Sequence, residues 1–151
     1  EEFFLGNCSP AEEFDLIDTE LANNDFNILG LPNGKVIILC QRYDPSQHFS
    51  EIKGWLLKNT GDIEKNLTIY NSTSYELLNP RMHSMKNGMI IVSWIKWSNS
   101  QKSGSINIKI IDPLGNAHTK ELSMIPEYTE RINTLKVKPL KNGNHFFLSM
   151  K

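Results

Sequence analysis

The sequence lacks the features that mark several large classes of protein. No apolar run approaches the length of a membrane-spanning helix. The net charge is −1 over 151 residues, so there is no basic excess to attract nucleic acid or anionic lipid. Alanine is scarce, whereas Ile, Asn, Ser and Lys are common, and this balance favours strands and turns over helices. We expect a single, largely β domain with no membrane span and no nucleic-acid partner.

The motifs of common catalytic and metal sites are also missing. The chain has no GxSxG, no HExxH, no phosphate-binding loop and no dinucleotide fingerprint. None of the four histidines lies at metal-ligand spacing from a cysteine. The spacing of the carboxylates singles out no acid/base pair. We predict a protein that is not an enzyme and that uses no metal or other cofactor.

The two cysteines, Cys8 and Cys40, leave the redox state open. An even number of cysteines permits a disulfide between them. The alternative is two unpaired thiols, one of them in the core of a strand. The sequence does not decide between these two states.

Three Asn-x-Ser/Thr triplets point to a secreted glycoprotein. They begin at Asn7, Asn66 and Asn71, and each can accept an N-linked glycan in a secretory compartment. Asn7 is the weakest of the three, because Pro10 follows its Ser9. The chain begins at Glu1, which we interpret as the start of a processed chain that has lost a secretory signal. We therefore expect an extracellular or cell-surface location.

An internal repeat is the strongest signal in the sequence. Three Asn-Gly steps, each followed by strand-forming residues, place Gly34, Gly88 and Gly143 at almost equal intervals along the chain. A second landmark agrees, because Gly61 and Gly115 are separated by the same interval as Gly34 and Gly88. The Asn-Gly step suits the positive φ angles of a type I′ hairpin turn. A fixed period, here of about 54 residues, is typical of folds that stack one supersecondary unit.

Each repeat is predicted to contain four short antiparallel strands, denoted a, b, c and d. Strand b is the most apolar and is expected to lie deepest, whereas strand d is the most polar and is expected to be outermost. The whole chain is expected to be all-β, with about twelve strands. The predicted organisation is a half-repeat cd (1–22), two full repeats (23–76 and 77–130) and a half-repeat ab (131–151).

Several short steps in this pattern carry a resemblance to a known repeat. The matching residues are Glu13, Phe14, Asn24, Asp25, Leu31, Asn33, Gly34, Val36 and Ile37, together with Trp94. Cys40 and Ser149 take the position of Trp94 in the other copies. The pattern resembles a repeat of large secreted and cell-surface proteins, found beside RTX-type or cadherin-like modules in bacteria and in protist surface proteins. The resemblance implies a β-propeller-like stack of four-stranded sheets, an extracellular setting and no catalytic residues.

The two half-repeats lead to a hypothesis about function. Half-sheets leave open strand edges, and open edges pair with other strands. We expect the ab end of one molecule to complete the cd end of the next, a head-to-tail contact that gives rings or filaments. The apolar residues expected at this interface are Phe3, Phe4, Leu5, Phe14, Leu16, Leu135, Val137, Phe146, Phe147 and Leu148. The protein is then a structural glycoprotein whose partner is itself.

Alternatives to this hypothesis stay open. The two ends of one chain could pair with each other, although propellers usually close with about four or more blades. The sequence could also be a fragment of a longer array. The alternative function is a carbohydrate-binding or adhesive module of a larger surface protein. Trp97 is the candidate for stacking on a glycan, because its offset of three residues turns it away from Trp94 in an extended strand.

If the chain passes through a secretory compartment, Asn66 and Asn71 should carry glycan, because both lie near the polar outer strand of the first full repeat. Intact mass measurement of the secreted protein, before and after glycosidase treatment, tests this. The variants Asn66→Gln and Asn71→Gln should each remove one step of the mass shift. A secreted chain whose mass does not change at either site would contradict the glycoprotein assignment.

Overall fold

The described part of the chain is built from strands. The computed structural model describes residues 22–128, 135–139 and 146–150. The strands are β1 (Ala22–Gly30), β2 (Val36–Asp44), β3 (Phe49–Leu57), β4 (Ile63–Ser72), β5 (Glu76–Ser84), β6 (Ile90–Ser98), β7 (Ser103–Ile111), β8 (Leu122–Tyr128), β9 (Leu135–Pro139) and β10 (Phe146–Met150). No helix in these ranges is long and apolar enough to cross a membrane. The predicted all-β class is confirmed.

The strands form antiparallel sheets in chain order. Strands β1 to β4 make sheet 1 and strands β5 to β8 make sheet 2, and within each sheet every strand pairs with the next. Strands β9 and β10 form a separate hairpin. The first strands are neighbours, since β1 approaches β5 and β5 approaches β9. The prediction of four-stranded antiparallel sheets is confirmed for these two sheets, while the strands expected in residues 1–22 fall almost entirely outside the described residues.

The hairpin turns of the two sheets share one geometry. Gly34 and Gly88 have φ angles of +81° and +80°, and Gly61 and Gly115 have φ angles of +94° and +73°. In all four turns the glycine N–H donates to the carbonyl oxygen three residues earlier, at 2.9–3.0 Å. Glycine adopts positive φ without the steric cost of a Cβ atom. These positions are therefore occupied by glycine for a backbone reason.

The expectation of type I′ turns at the Asn-Gly steps is wrong. A type I′ turn needs positive φ at both central residues. Neither Asn33 nor Asn87 has a positive φ angle; only the glycine after each does. Each turn is instead a hydrogen-bonded loop that ends in a bulge glycine. In both turns the Asn side-chain oxygen accepts the N–H two residues later, at 3.1 Å, which holds the Asn in its turn.

The main core lies between sheet 1 and sheet 2. Alternate residues of β2 and β4 face sheet 2, and alternate residues of β6 face sheet 1. The buried cluster includes Ile37, Leu39, Leu67, Ile69, Ile90, Val92 and Trp94. Strand β6 is buried along nearly all of its length, whereas β4 alternates with exposed residues, as predicted for strands b and d. Each large apolar side chain buried here contributes about 2 kcal/mol to stability.

Polar contacts fix how β5 sits against sheet 1. They join the N–H of Leu77 to the Ser50 hydroxyl (3.0 Å), the N–H of Met82 to the Asn27 side chain (2.8 Å), and Arg81 to the Asp25 carboxylate (2.9 Å). The N–H groups of Leu77 and Met82 thus donate to side chains of sheet 1 and not to a strand of sheet 2. Such bonds are directional, so they set the position of sheet 2 along sheet 1 more closely than apolar packing alone does.

Gly54 is the glycine whose replacement we expect to destabilise the core. A Cβ atom there would lie 2.5 Å from the carbonyl oxygen of Ile38 and closer still to Leu39. Gly54→Ala should lower the free energy of unfolding by about 1–3 kcal/mol, since neither neighbour can move freely. Gly30→Ala is the matched control, because nothing lies within 4 Å of a Cβ atom at that position. Equal stability of the two variants in urea unfolding would refute the steric argument.

Candidate functional site

Sheet 1 has a second apolar face, directed away from sheet 2. Cross-strand pairing puts the residues of this face side by side on three strands. They are Phe26 and Ile28 of β1, Val36, Ile38 and Cys40 of β2, and Trp55 and Leu57 of β3. We call this set the outer face of sheet 1. A sheet that is apolar on both faces needs a cover on both faces.

The exposed part of the outer face is the β1 end. Phe26 is 46 % exposed and Ile28 is 67 % exposed. At the other end, Cys40, Trp55 and Leu57 are buried. Phe26 and Ile28 are neighbours on one face of β1 and continue the apolar outer face, and a contiguous exposed apolar patch is a feature of contact surfaces.

In sheet 2, the position that corresponds to Ile28 is covered by a neighbouring sheet. Met82 occupies the position in sheet 2 that Ile28 occupies in sheet 1, since it pairs with Val92 just as Ile28 pairs with Ile38. Both first strands also carry a register shift just before this pair. Met82 is only 4 % exposed, because sheet 1 packs on it. The exposed end of the outer face is thus the counterpart of a buried intersheet contact.

The predicted interface residues are divided between described and undescribed parts of the chain. Phe3, Phe4, Leu5, Phe14 and Leu16 lie outside the described residues. The backbones of Leu135, Val137, Phe146, Phe147 and Leu148 lie in the β9–β10 hairpin, where Leu148 pairs with Val137. The hairpin itself is present, and its pairing with another copy stays a prediction.

Whether Cys8 and Cys40 form a disulfide stays open, because Cys8 lies outside the described residues. Cys40 is buried on the outer face of sheet 1. Burial raises the pKa of the Cys40 thiol, and the nearby Glu51 carboxylate raises it further. This thiol is therefore held in its neutral, less reactive form at neutral pH.

Two of the predicted glycosylation sites lie on the outer edge strand of sheet 1. Asn66 and Asn71 are both exposed residues of β4, as attachment of a glycan requires. The third site, Asn7, lies outside the described residues. Whether glycan is attached at any of the three sites stays a prediction.

A polar cleft opens where the β2–β3, β4–β5 and β6–β7 connections come together. It has two compartments, of about 300 and 200 Å³, and Tyr75 borders both. The larger compartment is lined by residues that include Tyr43, His48, Trp97 and Asn99. The smaller is lined by residues that include Lys96, Gln101, Ser105 and Asn107. We call the two compartments together the Tyr75 cleft.

Trp97 offers the Tyr75 cleft no open ring face. Its side chain is 5 % exposed, and its indole N–H donates to the Asn99 side chain at 3.1 Å. Both faces of β6 are buried, so turning away from Trp94 does not bring Trp97 to the surface. The exposed aromatic ring of the cleft is Tyr75, at 39 %. Tyr75 lies in a connection without strand periodicity, which is why the sequence pattern carried no signal for it.

Lys96 is the principal charge in the cleft. Its ammonium lies 2.6 Å from a Glu121 carboxylate oxygen and 4.1 Å from the centre of the Tyr70 ring. Burial lowers the pKa of Lys96, but Glu121 and Tyr70 together raise it above its ordinary value. In the described residues, no three His, Cys, Asp or Glu side chains group to hold a metal ion.

Comparisons with known proteins define the fold only. No family model matches the chain, and no curated protein matches it. A solved structure of similar fold is that of an endo-arabinase from Bacteroides thetaiotaomicron, with a TM-score of 0.60 and 12 % sequence identity. The match covers 94 % of this chain and 55 % of that one, so the chain spans about half of that protein's length. The chain therefore belongs with all-β proteins of stacked four-stranded sheets.

Replacing Lys96 with Met should reduce stability, because Glu121 loses its ion-pair partner. The wild-type advantage should be about 1 kcal/mol or less, since the pair is partly exposed. Because the pKa of folded Lys96 is raised, this advantage should be present below pH 10.5 and be lost at higher pH. Urea unfolding of the wild type and of Lys96→Met, at pH values below and above 10.5, tests this. The control is Lys86→Met, at an exposed lysine. An advantage that grows with pH would contradict the expected sign.

Proposed function

We propose that this protein is a non-enzymatic, extracellular structural glycoprotein whose copies associate head to tail. In this proposal the chain is a tandem of β-propeller-like repeats of about 54 residues, and residues 1–22 and 131–151 are half-repeats that complete one another between molecules. The observation that carries the proposal is the exposed apolar end of the outer face, at Phe26 and Ile28.

The position of the exposed residues indicates which element covers them. Inside the chain, each first strand lies beside the first strand of the next unit, β1 beside β5 and β5 beside β9. The element expected against the outward side of β1 is therefore another first strand. A half-repeat of strands c and d supplies no first strand, whereas β9 of a second copy is one. On the outer face of sheet 1, the residues of β1 are exposed and those of β3 are buried, as expected if the first strand of the covering unit comes from a second copy.

The energetics favour a contact of this kind. Burying an exposed Phe or Ile side chain contributes on the order of 2 kcal/mol, reduced here because both are already partly covered. Main-chain hydrogen bonds along the joined sheet add affinity and fix the register, as in strand addition. The surface donated, β9–β10, differs from the surface that receives it. Such heterologous contacts close into rings or continue as filaments.

The extracellular setting rests on the resemblance to secreted and cell-surface repeats and on the exposure of Asn66 and Asn71. The non-enzymatic assignment is supported by the lining of the Tyr75 cleft. Among its described lining residues there is one carboxylate, Glu76. Glycoside hydrolysis commonly uses a pair of carboxylates. For this reason we do not extend the activity of the endo-arabinase to this chain.

A carbohydrate-binding or adhesive module is the second candidate function. The observation that favours it is the exposed residue Tyr75, which lies among hydroxyl and amide side chains in this cleft. The two functions are compatible, because the cleft and the outer face of sheet 1 involve different residues.

Ile28→Asp should abolish self-association, because it puts a charge where an apolar contact is expected. Leu114→Asp is the matched control: Leu114 is also an exposed apolar residue, in the β7–β8 connection away from the outer face. Sedimentation velocity over a range of concentrations should show assembly of the wild type and the control, and monomer for Ile28→Asp. Monomeric wild type at every concentration would overturn the proposal.

Removal of residues 131–151 tests the other half of the interface. The shortened chain should stay in small soluble species, because it no longer supplies β9 and β10. A shortened chain that assembles like the full chain would show that the hairpin is not the donated element. A full chain that is a stable monomer, with its two ends paired to each other, would support closure within one molecule instead.

A further inference from the structure

We propose that the Tyr75 cleft is a binding site for a neutral oligosaccharide. The site lies at the connections between strands and shares no residue with the outer face of sheet 1. The inference therefore stands or fails independently of self-association.

The backbone at Tyr75 is held by hydrogen bonds, and the residue is exposed. The Ser72 hydroxyl accepts the N–H groups of Ser74 and Tyr75, at 3.1 and 3.0 Å. Two residues further on, the N–H of Leu77 donates to the buried Ser50 hydroxyl at 3.0 Å. The backbone is therefore held on both sides of a residue that is 39 % exposed. Because the backbone is already ordered and a Tyr side chain has few rotamers, binding a ligand here costs little conformational entropy.

The groups around this ring match the chemistry of a sugar. Hydroxyl and amide side chains line the two compartments that Tyr75 borders, among them Ser74, Asn99, Gln101, Ser103 and Ser123. These groups both donate and accept hydrogen bonds, as sugar hydroxyls do. The C–H face of a pyranose ring is apolar and can pack on an aromatic face. Tyr75 with its polar surround thus provides both kinds of contact.

The charges in the cleft favour a neutral ligand over an acidic one. Lys96 is paired with Glu121 at 2.6 Å. Glu76 accepts a hydrogen bond from the Asn99 side chain at 3.4 Å. A phosphate or a uronic acid would have to compete with Glu121 for Lys96 and would lie near Glu76. A neutral sugar neither competes with Glu121 for Lys96 nor is repelled by Glu76.

The shape of the cleft favours an oligosaccharide over a single sugar or a peptide. The compartments, of about 300 and 200 Å³, share Tyr75 in their lining, so a ligand long enough to fill both contacts Tyr75. Peptide grooves commonly rely on apolar pockets for anchoring side chains. The described lining residues include no Val, Leu, Ile or Met side chain to form such a pocket. An extended chain of sugar rings fits both observations.

The test is calorimetric titration of the full chain with neutral hexasaccharides of β-1,4-linked glucose, mannose and xylose. At least one should bind, and Tyr75→Ala should weaken that binding about tenfold. Tyr75→Phe should retain most of the affinity, because it keeps the ring. Leu114→Ala, a change at an exposed residue outside the cleft lining, should bind like the wild type. Gln101→Ala, at an exposed residue of the smaller compartment, provides a second lining variant if Tyr75→Ala does not fold.

A spectroscopic readout locates the ligand. Binding should shift the indole N–H resonance of Trp97, because Trp97 lines the larger compartment, and leave that of the core residue Trp94 in place. Failure of all three hexasaccharides to bind at millimolar concentration would overturn the inference. Binding that neither Tyr75→Ala nor Gln101→Ala changes would show that the ligand binds outside the Tyr75 cleft. Preferential binding of a heparin hexasaccharide or of a peptide library, lost in Tyr75→Ala, would overturn the ligand class.

Discussion

The packing of sheet 2 on sheet 1 is the interaction on which the rest of the structure depends. At its centre Trp94 lies fully buried, with the ring of Tyr70 stacked 5.5 Å away. A four-stranded sheet of this size cannot bury its own apolar faces, so each sheet is stable only when a neighbour covers it. The polar contacts to β5 and the approach of the connections that form the Tyr75 cleft follow from that packing.

The need for a covering neighbour applies to each face of a sheet separately. Sheet 1 packs alternate residues of its strands against sheet 2 and carries further apolar residues, its outer face, on the opposite side. Sheet 2 meets this requirement towards sheet 1, where Met82 is buried, and sheet 1 does not meet it fully on its opposite side, where Ile28 is exposed. Under the head-to-tail association proposed above, strands of a second copy would cover this exposed end, so the same apolar residues would serve both packing and assembly.

Features set by local backbone chemistry could be predicted from the sequence, and features set by tertiary contacts could not. Period-2 alternation and the spacing of Gly34, Gly61, Gly88 and Gly115 predicted the strands and turns, because a positive φ angle depends on the residue itself. The type of turn was mispredicted, because Asn keeps a negative φ when its side chain caps the loop. Trp97 shows the same limit: alternation indicates the face of a strand, but a neighbouring element decides whether that face is open. Tyr75 had no periodic signal at all.

The close packing at Gly54 has a consequence for how such sheets change over time. Gly54 pairs with Leu39 in sheet 1, and at the corresponding place in sheet 2 Ile108 pairs with Ser93. Each pair holds one large and one small side chain, but on opposite strands. Changing either member alone leaves a clash or a void, so one arrangement is reached from the other only by two coupled substitutions. A residue-by-residue alignment of the two sheets counts two mismatches here, although the volume filled between the strands is conserved.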